Sequence, residues 1–132
     1  MKALLDTDIL IDVALKRDPF WESSARVVSW AENSPGQGGI AWHTLANIVY
    51  LVRPDARFFL EHLLRFVDVA TVGTPEARQA LGFPMSDLED ALQASAAMAF
   101  GADYIVSRNI SHYRKSPVPA LSPTQFLQRL GN

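Results

Sequence analysis

Short apolar runs of strand length take turns with helical spacings along the whole chain, and that alternation limits the possible folds more than any other feature. Lys2 to Asp6 reads as a short buried strand that ends on an acid, and Ile9, Leu10, Val13 and Ala14 follow at helical spacing. Asp18-Pro19 has the cap-then-proline form of a helix start, and its apolar pattern runs through Val27, Val28 and Trp30 until Asn33-Ser34-Pro35-Gly36 stops it. Gly39 to Trp42 predicts a second strand, Thr44 to Val52 and Asp55 to Phe66 predict helices, and Val67 to Val72 predicts a third strand. Thr74-Pro75 opens a helix that ends near Gly82. Ser86-Asp87-Leu88-Glu89 has the form of a capping box, which starts an Ala-rich helix reaching about Phe100. Tyr104 to Ser107 predicts a fourth strand, Val118 to Leu121 is a short apolar segment, and Ser122-Pro123-Thr124-Gln125 opens a last helix. The expected fold class is α/β, a central parallel sheet covered by helices on both faces with ligands outside the carboxyl ends of its strands.

At 132 residues the chain has the size of one domain, so a single unit over residues 1–132 is expected. No apolar run approaches the roughly 20 residues that span a bilayer, so no membrane segment is expected. The opening residues meet Asp6 after three apolar positions and hold no signal-peptide core, which predicts a cytoplasmic protein. The absence of cysteine removes disulfides, thiolate catalysis and cysteine-ligated zinc, and leaves oxygen and imidazole as the donors for any metal. A net charge of -2 excludes nucleic-acid binding by an overall basic field, so such a ligand needs a local basic patch.

Acids at strand ends or helix starts of a parallel sheet converge on one crevice even when far apart in sequence. Asp6 and the Asp87/Asp90 pair meet that condition, and the spacing of the pair sends both roughly to one side of their helix. Crowded carboxylates repel one another and lose hydration, which Mg²⁺ or Mn²⁺ relieves by binding through one or two of them with water and substrate phosphate. Asp87 has an equally ordinary role at the first turn, where the helix dipole favours an acid. Asp90 lies deeper, among Ala and Leu, where an unpaired acid costs more. Asp8 reads as a cap, Asp12 as part of a solvated face and Asp103 as a turn residue. No histidine pair has the spacing of a zinc site.

Leu4-Leu5-Asp6-Thr7-Asp8, Asp87-Leu88-Glu89-Asp90-Ala91-Leu92-Gln93-Ala94 and Ala102-Asp103-Tyr104-Ile105-Val106-Ser107-Arg108-Asn109 together resemble PIN-domain proteins of the VapC toxin type, in order and spacing across nearly the whole chain. The resemblance implies a PIN-like α/β/α sandwich, Mg²⁺- or Mn²⁺-dependent ribonuclease activity that leaves a 5′-phosphate, frequent homodimers and a small VapB-type antitoxin partner. By position it implies Asp6 and Asp90 as metal ligands and catalytic acids, Asp87 as a supplementary acid and Thr7 as an auxiliary group. This sequence departs from the family pattern at Asn47 and Asn109, where many members carry acids; an amide carbonyl can ligate a cation but adds no charge, so weaker metal binding is expected. A basic patch follows the fourth strand, where Arg108, Arg114 and Lys115 could hold RNA phosphates and His112 or Tyr113 could stack on a base.

Two other readings stand beside this one. Asp6-Thr7-Asp8 also suits the nucleophile and acid of a haloacid-dehalogenase-type phosphatase, but Leu10 and the placement of Lys2, Lys16 and Lys115 fit that motif poorly. The stronger rival is a PIN-fold module that binds RNA or protein without cutting, for which Asn47 and Asn109 are the evidence. The aromatic residues Trp21, Trp30, Phe58, Phe59 and Phe66 are numerous enough to supply a dimer patch as well as a core.

Overall fold

The computed structural model describes residues 1–131, and its elements follow the alternation expected from the sequence. In chain order they are β1 (Ala3–Leu5), α1 (Thr7–Leu15), α2 (Trp21–Glu32), β2 (Gly38–Ile40), α3 (Trp42–Leu51), α4 (Ala56–Leu63), β3 (Asp68–Val69), α5 (Thr74–Leu81), α6 (Leu88–Phe100), β4 (Tyr104–Val106), β5 (Ala120–Leu121) and α7 (Pro123–Leu130), with a 3-10 turn at Ile110–Tyr113. The strands form one parallel sheet in the order β3-β2-β1-β4-β5. β5 is the stretch that reads in sequence only as an apolar segment. It is short, but Ile105 and Ser107 N–H groups donate to the Pro119 and Leu121 carbonyls at 2.9 and 3.0 Å and fix it to β4.

Strand side chains alternate between two cores, as the period of an extended chain requires. Ala3 and Leu5 of β1 join Ile9 and Leu10 of α1, Val27 of α2, Ile48 of α3, Leu63 of α4 and Phe126 of α7 on one face. Leu4 points the other way, to Ala80 of α5 and to Ala91, Ala94 and Ala97 of α6. The result is the α/β/α sandwich expected. The alanines explain how α6 comes so close: a Cβ added at Gly39 of β2 would stand 2.8 Å from the Phe100 ring. We expect Gly39→Ala to cost about 1–3 kcal/mol through overpacking, measured by urea unfolding; an unchanged midpoint would mean that the Phe100 end of α6 shifts freely off the sheet.

Three helix starts differ from the sequence reading. β2 ends at Ile40 and α3 already begins at Trp42, with Ala41 at its N-cap. α2 begins at Trp21, and the Asp18 carboxylate accepts a hydrogen bond from the Trp21 indole N–H at 2.9 Å instead of capping a backbone donor. α6 is capped by Asp87, which accepts from the Asp90 N–H at 3.0 Å, so the cap lies one residue later than Ser86. The Ser122/Gln125 capping box of α7 forms as expected. The aromatic residues divide between core and surface: Trp30 stacks edge-on to Phe126 with ring centroids 4.8 Å apart, and Phe59 and Phe66 pack on the core. Of the residues named for a dimer patch, Phe58 on α4 is the well-exposed one, and Trp42 and Tyr50 on α3 are exposed large rings that the pattern did not single out.

Candidate functional site

From β1 the sheet grows outward in opposite directions, through β2 and β3 on one side and β4 and β5 on the other. Crossovers diverge at such a switch point and leave a crevice beyond the carboxyl ends of the two central strands. The register Leu5↔Val106 sets the next residues, Asp6 and Ser107, side by side there. The Asp6 N–H donates to the Val106 carbonyl at 3.0 Å, and its carboxylate caps α1 by accepting from the Thr7 N–H at 2.8 Å. Oδ1 also accepts from Gln93 Nε2 at 3.3 Å, while Oδ2 accepts from the Ser107 hydroxyl at 2.7 Å and stands 3.2 Å from the Tyr113 hydroxyl.

Asp90 reaches the same crevice from the first turn of α6. Its Oδ1 is 3.3 Å from the Tyr113 hydroxyl, so one phenol lies between the two carboxyl groups. Its Oδ2 is buried and has no hydrogen-bond partner among the described residues; His112 Nδ1 stands 3.4 Å away without forming one. Burial pushes the Asp6 carboxyl up to about 6, with Asp8 and Asp90 adding to the effect and the Ser107 and Tyr113 hydroxyls opposing it. Burial also raises Asp90, helped by Asp87 and opposed by His112 and Tyr113. The Tyr113 phenol is pushed well above its ordinary range by burial and by both acids, and stays a neutral donor.

These groups open onto a cleft of ≈ 380 Å³ lined by Asp6, Asp8, Asp87, Glu89 and Asp90 together with Asn47 and Asn109. Among the described residues no three acids or histidines are close enough to form a ready cage for a metal. The amides lie in the cleft, each beside an acid from another element. Asn109 Nδ2 donates to Asp8 Oδ2 at 2.7 Å and Asn47 Nδ2 to Glu89 Oε1 at 3.3 Å. Asp8 and Glu89 therefore bring negative charge to the two places where this chain carries amides. Thr7, expected as an auxiliary group, is buried, with its hydroxyl 2.9 Å from that of Thr44 and 3.2 Å from Gln93 Nε2.

Several residues take places that the sequence did not suggest. Asp8 is no cap, since Asp6 fills that position. Asp12, read as solvated, is fully buried and held by Arg17 at 2.9 Å, by Arg108 at 2.7 Å and by the Ser24 hydroxyl at 3.3 Å. Arg108, expected at RNA phosphates, is committed to this network, with its guanidinium 4.1 Å from the centre of the Phe20 ring. Tyr113, expected to stack on a base, is only 2 % exposed because the 3-10 turn folds its ring back against α6. His112, Arg114 and Lys115 remain at the surface. The sequence reading singled out neither Ser107 nor Gln93: both are buried, the Ser107 hydroxyl donates to Asp6 at 2.7 Å, and Gln93 Nε2 lies within 3.3 Å of Asp6, Thr7 and Thr44. A polar residue one helical turn after Asp90, in an alanine-rich helix, was the available signal for Gln93.

The raised Asp6 has a sign-determined effect on stability. Between the usual carboxylate value of 3.8 and about 6 the folded chain binds more protons than the unfolded one, so this group makes stability fall as pH rises through that window. Asp90 is shifted in the same direction. Melting the chelator-treated protein across this range should show that fall, and Asp6→Asn should flatten it; an equally steep profile in the variant would assign the effect to other groups.

A doubly wound parallel sheet with an acid-lined crevice at its switch point defines the class of protein. The chain belongs to the PIN-domain family: the PIN domain family model matches residues 2–111. Its fold is similar to that of solved toxin–antitoxin structures. A toxin–antitoxin complex from Klebsiella pneumoniae is 20% identical with a TM-score of 0.69, over 92% of this chain and 98% of that one. VapBC2 from Rickettsia felis, bound to a DNA fragment from their promoter, is 19% identical with a TM-score of 0.66 over the same shares. VapBC-1 from nontypeable Haemophilus influenzae is 17% identical with a TM-score of 0.64, over 94% and 99%. At such identities the likeness is one of fold. No curated protein matches the chain.

Proposed function

We propose that this chain acts as one domain, a metal-dependent endoribonuclease of the VapC toxin type that hydrolyses RNA phosphodiesters. The observation that carries the reading is Asp6 and Asp90, from distant segments, on either side of one buried hydroxyl, with Asp90 Oδ2 buried and without a hydrogen-bond partner. A cleft that offers five carboxylates and two amides, beside Arg17 and His112, and holds an orphaned carboxylate oxygen, fits a hard cation, Mg²⁺ or Mn²⁺. Asp6 and Asp90 would hold it, with Asp8, Asp87 and Glu89 within the same cleft to ligate directly or through water. A bound divalent cation supplies activation of water and neutralisation of charge on the phosphodiester. The chain's own part is positioning. Ser107, Thr7 and Gln93 fix the Asp6 carboxylate by hydrogen bonds to both of its oxygens, and the buried Tyr113 hydroxyl stands between Asp6 and Asp90.

Among the described residues no helix is long and apolar enough to cross a membrane. As a ribonuclease of this type the protein would act in the cytoplasm, with RNA as substrate. The exposed apolar residues Trp42, Tyr50, Leu51 and Phe58 on α3 and α4 are the surface we assign to a homodimer or to a VapB-type antitoxin. The test is cleavage of single-stranded RNA in chelator, then with Mg²⁺ or Mn²⁺ restored. Cleavage that appears only with the cation supports the reading, and cleavage that ignores the chelator sinks it. The second reading, a PIN module that binds without cutting, draws on Asn47 and Asn109; Mn²⁺-induced stabilisation with no cleavage of any RNA would favour it.

A further inference from the structure

A second cavity of ≈ 450 Å³ lies against the acidic cleft, and the two share Asp87, Asp90 and His112 as a common wall. Its far side has the opposite charge. Pro84 and Met85, on the segment before α6, face Ser111, Arg114 and Lys115, on and just after the 3-10 turn. The neighbouring cations are already engaged: Arg17, at the cleft, and Arg108 hold Asp12, and His112 stands beside Asp90. Arg114 and Lys115 are exposed, and among the described residues their side chains make no ion pair and no hydrogen bond. Two free cations therefore line a trough whose wall is the acid that faces the proposed scissile phosphate.

We propose that this trough is a phosphate-binding subsite for single-stranded RNA, in which Arg114 and Lys115 hold phosphates next to the one over Asp6 and Asp90. The inference rests on the ribonuclease reading for what lies in the acidic cleft, but the subsite itself binds without chemistry. Only a chain with regularly spaced charges places one phosphate on a cation held by acids and its neighbours on basic side chains at the same time. The Pro84–Asp87 segment and the turn bound the trough on two sides. Phosphate neutralisation by each cation adds to the salt dependence of binding, by about 0.7 in the logarithmic slope for single strands.

The test is fluorescence anisotropy of a single-stranded RNA of about eight nucleotides, a length typical of single-strand grooves, in chelator so that no cleavage intervenes, over a salt titration. The Arg114→Ala/Lys115→Ala double variant should bind more weakly, with its slope lower by about 1.4. Arg114→Lys/Lys115→Arg should keep the wild-type slope, since the charges stay in place. In Mn²⁺ the alanine double variant should raise KM and leave kcat unchanged. An affinity and slope equal to wild type would overturn the subsite, as would a poly-glutamate peptide that binds more tightly than RNA and is lost in the same variant. RNA that binds with the expected slope and is never cut would keep the trough and remove the nuclease. Cleavage with unaltered binding in the double variant would do the reverse.

Discussion

Asp6→Asn and Asp90→Asn are each expected to lower RNA cleavage about a thousand-fold or more, roughly 4 kcal/mol at the barrier, while the fold survives. In the Asp6 variant the amide oxygen can keep the Thr7 and Gln93 donors and the amide NH₂ can donate to the Ser107 and Tyr113 hydroxyls, because hydroxyls accept as well as donate. Stability at neutral pH should stay level or rise, since a carboxyl pushed up to about 6 by burial is held ionised there at a cost. In the Asp90 variant the orphaned oxygen disappears or gains hydrogens that point into the cleft. Both variants should lose the rise in melting temperature that Mn²⁺ gives the wild type. If either melts and binds Mn²⁺ as the wild type does, that residue is no ligand, whatever its effect on cleavage.

Asp12→Ala is expected to have the largest effect on stability. The carboxylate is fully buried between two guanidinium groups and a hydroxyl, and it ties the segment after β4 to α1 and α2. Its removal leaves Arg108 partly buried without a counter-charge, and breaking a buried pair from one side costs about 3 kcal/mol, which for a chain of this size corresponds to roughly 10 °C in melting temperature. Asn109, next to Arg108, donates to Asp8, so loosening this network should also disturb the cleft. Thermal melts of Asp12→Ala and of Arg108→Ala check the assignment. If both variants melt within about 1 °C of wild type, the network contributes nothing measurable, as many exposed pairs do.

The fold was legible because its signals are local. Apolar runs that end on acids, Pro-led helix starts and the Ala-rich body of α6 each state an element, and their alternation states a parallel sheet. Asp6 and Asp90 were legible for the same reason, one at a strand end and one at a helix start. What could not be read was which charges meet. Asp12 and Arg108 have no pattern that joins them, and only the β1–β4 pairing, with Ala3 opposite Tyr104, brings them together. The same holds for Asn109 with Asp8 and Asn47 with Glu89. A residue compared position by position with a family shows a lost acid, but not the acid from another element that lies beside it. Tyr113 was misplaced because a single 3-10 turn of four residues, Ile110 to Tyr113, is too short to carry a periodicity that says which side chain faces in.

The sheet order also fixes when the cleft can exist during synthesis. β1 is the central strand, made before the other four, yet its partner β4 and the Ser107 hydroxyl that holds Asp6 come 101 residues later. Contacts that distant close late, because their loop entropy must be met before they stabilise anything. Asp90 and Tyr113 join from the same late part of the chain. A nascent chain still on the ribosome therefore carries Asp6 without the groups that orient it, and the acidic crevice forms only once β4 and the following turn have emerged. The geometry of the cleft is thus a property of the assembled sheet, which β1 and α1 alone do not carry.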